Sequence, residues 1–410
     1  MARDRTPDDG PVASGSGPGR LRCPDCDERF RDRWRCTCGS PLVFATEPIP
    51  TTTHRQTNVT DGSPETADSP PETADDPPDP QAFDTRLGLW AFGEFIAVGS
   101  DSADRVSLGE GMTPLVDAPA WDASFKLEYV FPTGSFKDRG ATTTLTRARE
   151  LGVDRVVEDS SGNAGAAIAT YAARAGVDAG IYVPADVKEA KIRAIERAGA
   201  EAIRVEGTRA DVTEACLAAL DGETDGESAW YASHAWNPAF FEGTATFAYE
   251  LALQRDWSAP DAVVCPLGHG TLFLGAYWGF RRLRRAGWID ELPRLLGAQA
   301  AGIAPVVRDL HGPGAAPPGG EANTAADGIR IADPVRVEAI HEAIADTDGD
   351  AIAVSEAALE RELDQLHAAG FYTESTCAVA PAALRTYRER GVLDEDDDVV
   401  VPLTGSGLKG

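Results

Sequence analysis

Lys137 lies in the run Pro132-Thr133-Gly134-Ser135-Phe136-Lys137-Asp138-Arg139-Gly140, and it is one of only five lysines in a chain that carries 33 arginines. The others are Lys126, Lys188, Lys191 and Lys409. A guanidinium stays protonated and makes a poor nucleophile, whereas an ammonium loses its proton when desolvated and condenses with an aldehyde. Using arginine nearly everywhere else, the chain keeps an amine here for a reason, and the small residues around it let a bulky partner approach the backbone. A lysine carrying pyridoxal 5′-phosphate (PLP) as a Schiff base is the chemistry this run suggests. An ordinary surface lysine opening a helix is the plain alternative.

Three further runs could hold such a group. Asp159-Ser160-Ser161-Gly162-Asn163-Ala164-Gly165-Ala166 follows an apolar stretch and opens an alanine-rich one. Unpaired amides at a helix N-terminus bind carboxylate or phosphate, and Asn163 adds an amide for a cofactor hydroxyl. The competing use of Ser160 or Ser161 is as a helix N-cap. Pro266-Leu267-Gly268-His269-Gly270-Thr271-Leu272 lacks the Gly-Lys-Ser/Thr of a triphosphate loop and a downstream acid for a ribose. Its glycine amides and the Thr271 hydroxyl suit a single phosphate, with His269 placing backbone rather than catalysing. Val401-Pro402-Leu403-Thr404-Gly405-Ser406-Gly407-Leu408-Lys409 ends the sequence with little packing rationale. A hydroxyl there would meet the pyridine nitrogen of PLP as a neutral partner, which elimination and replacement chemistry tolerates and transamination usually does not.

Seven cysteines are present. Cys23-Pro24-Asp25-Cys26 and Cys36-Thr37-Cys38-Gly39 form two thiolate pairs that suit tetrahedral Zn²⁺, and so short a segment needs such a staple to fold. The second pair is a tighter knuckle than the first. Reduced or disulfide-linked cysteine in a floppy arm is the competing reading, and an intracellular setting argues against the disulfide. Cys216, Cys265 and Cys377 stand alone in apolar surroundings as buried, inert thiols.

The elements that must position these residues alternate regularly from about Leu87. Strands are expected at 155–158, 180–183, 202–205, 230–232, 262–265, 295–298 and 399–401. Helices are expected at 164–174, 187–198, 211–220, 239–254, 272–285, 356–369 and 377–390. Short apolar strands alternating with amphipathic helices make an α/β fold of mainly parallel sheet covered by helices. In such sheets the ligand sits at the carboxyl ends of the strands, where these glycine-rich turns lie. The domain plan is a zinc-ribbon-like module at 20–43, an acidic Pro/Thr-rich linker at 44–84 and a catalytic domain at 85–410. A smaller lobe is expected at about 150–250, and the linker would make the ribbon a tethered appendage.

Composition sets the surroundings. Asp and Glu total 66 against 38 Lys and Arg, a net charge of −28 over 410 residues, which excludes a phosphate-backbone binder. An acidic, lysine-poor surface is the pattern of proteins that stay soluble in concentrated salt. No membrane-length apolar run and no apolar core in residues 1–20 are found, so a soluble, cytoplasmic protein is expected.

In chain order, Gly109-Glu110-Gly111-Met112-Thr113-Pro114-Leu115, the Ser-Phe-Lys-Asp-Arg-Gly box, Ser-Ser-Gly-Asn, the loop 268–271 and Leu-Thr-Gly-Ser-Gly-Leu-Lys resemble the fold-type II PLP enzymes, with a tryptophan synthase β-like fold of two lobes. Within them the chain is similar to threonine synthase, including 328–334 and 371–380. The resemblance covers about 107–409, and a zinc ribbon precedes many such enzymes. It implies that Lys137 carries the cofactor and that Asn163 contacts its 3-hydroxyl. Gly268, His269, Gly270 and Thr271 would hold its phosphate, Thr404 would meet the ring nitrogen, and Ser160 and Ser161 would bind the substrate carboxylate. Phe136 is left to packing, and Asp138 and Arg139 to supporting the helix start. A homodimer is expected by analogy alone.

The resemblance fails at the substrate phosphate. The family usually has threonine where Ala164 stands, and Asn-Pro-x-Arg-x-x-Gly-Gln-Lys-Thr where this chain has Asn237-Pro238-Ala239-Phe240-Phe241-Glu242-Gly243-Thr244-Ala245-Thr246. Losing a guanidinium–phosphate contact costs roughly 1.5–3 kcal/mol or more, and Arg139, Arg209 or Arg330 could compensate. Three functions follow. The first is a threonine synthase-like enzyme turning O-phospho-L-homoserine and water into L-threonine and phosphate. The second is a serine/threonine dehydratase-like or cysteine synthase-like lyase that eliminates or replaces a β-substituent, with Phe240 and Phe241 forming an apolar pocket. The third is an inactive paralogue whose zinc ribbon recruits a partner.

Overall fold

The computed structural model describes residues 19–50, 77–221, 229–316 and 323–409. The part of the expected linker at 51–76 lies outside the described residues. Near the start, β1 (Leu21–Arg22), β2 (Arg29–Phe30) and β3 (Val43–Phe44) form a small antiparallel sheet. An antiparallel pair follows, β4 (Leu115–Ala118) and β5 (Ala123–Lys126). Next come α1 (Lys137–Leu151), β6 (Arg155–Glu158), α2 (Asn163–Ala175), β7 (Asp178–Pro184), α3 (Glu189–Arg197), β8 (Glu201–Val205), α4 (Arg209–Ala218) and β9 (Trp230–Tyr231). The chain continues through α5 (Pro238–Leu253), β10 (Ala262–Pro266), α6 (Thr271–Arg285), β11 (Arg294–Ala300) and α7 (Pro305–His311). It closes with α8 (Val337–Asp346), β12 (Asp350–Val354), α9 (Glu356–Ala368), α10 (Val379–Glu389) and β13 (Val399–Pro402).

Two sheets result. One is four-stranded and parallel in the order β8-β7-β6-β9; the other is six-stranded in the order β12-β11-β10-β13-β5-β4, parallel except for edge strand β4. The unbroken apolar runs of β10 and β13 are buried throughout, apart from a half-buried Pro266, because helices cover both faces of a parallel sheet. β10 and β13 are parallel neighbours, so the turns that leave them, at 267–271 and 403–406, emerge on one edge of the sheet.

Helix boundaries shift from the sequence expectation for local reasons. Helix α4 starts at Arg209 rather than 211, because Thr208 and Asp211 cap each other's backbone two residues earlier. The helix expected from 377 begins as a 3-10 turn over Ser375–Ala378 and turns α-helical at Val379. The hairpin β4–β5, strand β12 and helices α7 and α8 were not among the expected elements, whereas α1 begins at Lys137, where Asp138 and Arg139 were expected to support a helix start.

Helix α5 is buried along its whole length, as expected of a helix apolar on every side. It packs against α6 and α1 through small residues. A Cβ on Gly275 would meet Thr244 Oγ1 at 2.3 Å, one on Gly279 would meet the Ala245 carbonyl at 2.4 Å, and one on Gly243 would meet the Arg139 carbonyl at 1.8 Å.

The cysteine module is docked on the main body, which corrects the expectation of a tethered appendage. Trp34 packs edge-on against Tyr231 and Trp236 at 5.5 and 5.0 Å, and Trp230 Nε1 donates to Asp32 at 2.7 Å. Arg147 donates to the Gly19 carbonyl at 2.6 Å, and Arg336 to that of Leu42 at 2.9 Å. No described helix is long and apolar enough to cross a membrane.

Candidate active site

Three of the strand-to-helix turns open onto one cavity of about 900 Å³, large enough for a cofactor and a small substrate together. Lys137, Ser160, Ser161, Asn163, Gly268, His269, Gly270, Thr271 and Thr404 all line it.

Lys137 is the first residue of α1, and the turn before it is held by the last segment of the chain. Phe136 N–H donates to the Thr404 carbonyl at 3.0 Å and Ser406 N–H to that of Gly134 at 2.9 Å. The terminal Thr-Gly-Ser run is therefore a clamp on the lysine loop as well as a wall of the cavity. Lys137 Nζ donates to Thr271 Oγ1 at 3.1 Å and sits 4.2 Å from the Phe136 ring centre. Burial pushes its pKa down to about 8, against the pull of Glu158 and Glu374. At pH 7 about a tenth of such amines are neutral, against under roughly a thousandth for an ordinary lysine, so this amine is activated as a nucleophile.

Two helices present bare N-termini to the cavity. α2 is capped by Gly162 and α6 by Gly270, neither with a side-chain cap bond, so neither Ser160 nor Ser161 acts as the cap. Gly270 has φ +76°, and a Cβ there would come within 2.8 Å of Ile340; one on Gly268 would lie 3.1 Å from Ile329 Cα. His269 Nδ1 is buried with no partner, and burial pushes its pKa down to about 3, with Arg209 and Lys137 adding to the effect. A neutral imidazole with an orphaned nitrogen, beside bare amides and a hydroxyl, makes a seat suited to an anion. These residues fit a phosphate group within reach of the Lys137 amine, as PLP requires.

Thr404 Oγ1 lies 3.3 Å from Cys377 Sγ, which also receives the Gly405 N–H at 3.0 Å. Cys377, expected to be inert, thus fixes the hydroxyl assigned to the ring nitrogen. Asn163 directs its amide nitrogen at both oxygens of Glu374, each at 3.0 Å. Burial pushes the Glu374 carboxyl up. Glu374 lines the cavity with no role assigned from sequence, although the run containing it contributed to the resemblance.

A second buried pair lies at the cavity, in the run His234-Ala235-Trp236-Asn237, which the sequence places close to the expected pocket, either for specificity or for packing. His234 Nδ1 lies 2.7 Å from Glu158 Oε1, and the His234 N–H donates to the other oxygen at 3.2 Å. Burial pushes Glu158 well up and His234 well down, which favours a neutral imidazole. His234 lines the cavity and packs edge-on to His269 at 5.4 Å.

Several expectations about the substrate phosphate are corrected. Arg139 is sealed under α1, bound by Glu128 at 2.7 Å and Glu250 at 2.9 Å, and cannot reach a ligand. Phe240 is buried against Gly140, and Phe241 packs under Arg336 at 4.5 Å, so the two make no apolar wall of this cavity. Ala245 is buried where α5 meets α6.

In the small module, the sulfurs of Cys23, Cys26, Cys36 and Cys38 all lie within 4.8 Å of one another, with close pairs at 3.6 and 3.4 Å. Thiolates about 2.3 Å from a tetrahedral Zn²⁺ sit roughly 3.8 Å apart, so the cluster fits such an ion.

Comparison with known proteins agrees with this geometry. Residues 106–405 match the family described as pyridoxal-phosphate dependent enzyme. The chain is 33% identical over 339 residues to the threonine synthase of Methanocaldococcus jannaschii, covering 79% of this chain and 81% of that protein. It is 34% identical over 331 residues to that of Methanosarcina acetivorans, covering 78% and 80%. The fold is shared with maize serine racemase, at a TM-score of 0.62 and 20% identity over 72% of this chain and 88% of that one. The processed form of threonine deaminase isoform 2 from Solanum lycopersicum gives 0.61 and 21% over 75% and 82%.

Proposed function

The chain belongs to the pyridoxal-phosphate dependent enzyme family, and we propose that it is a threonine synthase-like lyase that takes O-phospho-L-homoserine and water to L-threonine and phosphate. The observation that carries this reading is the activated Lys137 amine lying 3.1 Å from Thr271, the first residue of a helix whose bare N-terminus forms a phosphate seat. PLP held on Lys137 supplies an electron sink for carbanion formation next to the amino group. Gly268, His269, Gly270 and Thr271 would hold its phosphate, and Asn163 would contact its ring hydroxyl. The neutral Thr404 hydroxyl, backed by Cys377, would meet the ring nitrogen without protonating it, which would suit elimination and replacement over transamination. The amides at Ser160, Ser161 and Gly162 orient the substrate carboxylate. When displaced, the Lys137 amine stays within the cavity and moves protons at the substrate's α and β carbons.

The four cysteines would hold a structural Zn²⁺ that keeps Trp34 against Tyr231 of the four-stranded sheet. The acidic surface suits a cytoplasm rich in salt, and a homodimer is the working assembly. The second reading, β-elimination or β-replacement on serine or threonine derivatives, is favoured by the loss of charge at Phe240 and Ala245.

The test is to incubate the PLP-loaded protein at high salt with O-phospho-L-homoserine, L-threonine, L-serine and O-acetyl-L-serine in turn. Phosphate release with matching L-threonine supports the proposal. A 2-oxoacid or a sulfide-dependent product would replace it with the second reading, and no spectral response to any substrate would sink both.

A further inference from the structure

The cavity holds more positive charge than the cofactor phosphate and the substrate carboxylate require. Lys137, Lys188, Lys191, Arg209, Arg330 and Lys409 line it, against Asp186, Asp327 and Glu374. In a chain of net charge −28, four of the five lysines face this one space, and the fifth, Lys126, is locked at 2.5 Å to buried Glu250.

Of these cations only Lys191 has a carboxylate within ion-pair distance among the described residues, Asp327 at 3.6 Å, and Lys137 is bonded to Thr271. Lys188, Arg209, Arg330 and Lys409 have none, and of these four only Arg209 acts on both His234 and His269. Lys188 and Arg209 sit at the carboxyl end of the four-stranded sheet: Lys188 after β7 and Arg209 after β8, beside the turn 159–162 that follows β6. Arg209 and Lys188 are solvent-exposed residues that line the cavity, and the charge of Arg209 acts on Glu158, His234 and His269 within it. The Thr208–Asp211 capping box fixes the turn that carries it. Helix α5 contributes no residue to the lining of the cavity, and its Phe240 and Ala245 are buried.

We infer that Arg209, supported by Lys188, seats the anionic side-chain group of the substrate, a phosphate monoester, at the loops that follow the four-stranded sheet. The inference rests on the proposed reaction for the identity of the ester. It rests on the cavity alone for the presence of a third anion seat. A guanidinium fork matches two phosphate oxygens where an ammonium supplies one point charge.

The experiment uses PLP-loaded wild type, R209Q, R209K and K188Q at one fixed ionic strength, so that the cofactor seat is filled. Inorganic phosphate is titrated by its effect on the cofactor absorbance, L-threonine is titrated the same way, and kcat and KM are measured with O-phospho-L-homoserine. R209Q is expected to weaken phosphate binding and raise KM by about tenfold or more. The L-threonine response should stay unchanged, R209K should recover part of the loss, and K188Q should lose less. Unchanged phosphate affinity in R209Q, or an equal loss of L-threonine binding, overturns the assignment. If wild type does not turn over the phospho-substrate, the reaction proposal fails. The phosphate titration still decides the anion seat in that case.

Discussion

Arg139→Met tests whether the arginine two residues beyond Lys137 is structure or ligand. Its guanidinium bonds Glu128 through two nitrogens, both at 2.7 Å, and reaches Glu250 at 2.9 Å and Thr246 at 3.0 Å. Lys126 completes the cluster at 2.5 Å from Glu250, and all four charges are buried. Burial alone would push Glu250 up, but Arg139 and then Lys126 outweigh it and hold its pKa at about 2. Removing Arg139 leaves two buried carboxylates to one ammonium, a broken buried pair that costs about 3–5 kcal/mol. In wild type the depressed Glu250 contributes stability above the unfolded carboxylate range, and that contribution is lost as pH falls toward 2. In the variant the surplus carboxyl has a raised folded pKa, so the sign reverses: stability is greater at acid pH and falls as pH rises through that value. Denaturant unfolding followed by intrinsic fluorescence at pH 5.5, 7 and 8.5 measures both effects. A loss under about 1 kcal/mol, or no gain on acidification, would refute the buried-network account. A stable variant with only a raised KM for the phospho-substrate would restore Arg139 as a ligand.

Lys137→Ala should abolish the visible absorbance of the bound cofactor, and an unchanged band would mean that another lysine carries it. The rate at which the apoprotein takes up PLP should rise with pH to a midpoint near 8, because burial pushes the Lys137 amine down to about that value; a midpoint near 10 would count against an activated amine. Phe240→Arg, intended to return the missing guanidinium, should destabilise the protein by several kcal/mol instead, since it buries an unpaired charge against Gly140. Thermal unfolding decides this, and a stable variant with improved phosphate binding would contradict the packing. Cys26→Ser should lower bound zinc from one equivalent and expose Trp34, read as a change in tryptophan emission. Full zinc retention would show that the four sulfurs are not the ligand set.

The α/β architecture was legible because parallel strands buried on both faces must be apolar throughout, as β10 and β13 are, while the division into two lobes followed from the family resemblance alone. The turns were legible because a bare helix N-terminus needs small residues beside it, and Gly162, Gly268 and Gly270 are written in the chain. Edge hairpin β4–β5 and the short strand β12, the latter entered through Asp348-Gly349, were missed. The docking of the cysteine module rests on Trp34 meeting Tyr231 and Trp236, nearly two hundred residues away in sequence, so no local pattern could announce it.

By itself the sequence determined which residues could do chemistry, since a rare amine and glycine-rich turns are local properties of the chain. Only the tertiary structure decided how the charges pair. It sent Arg139 and Lys126 into the core with Glu128 and Glu250, paired Glu158 with His234, set Cys377 behind Thr404, and left Arg209 and Lys188 unmatched at the cavity. Electrostatic partnership depends on distance and burial, and both are set by contacts between residues far apart in the chain.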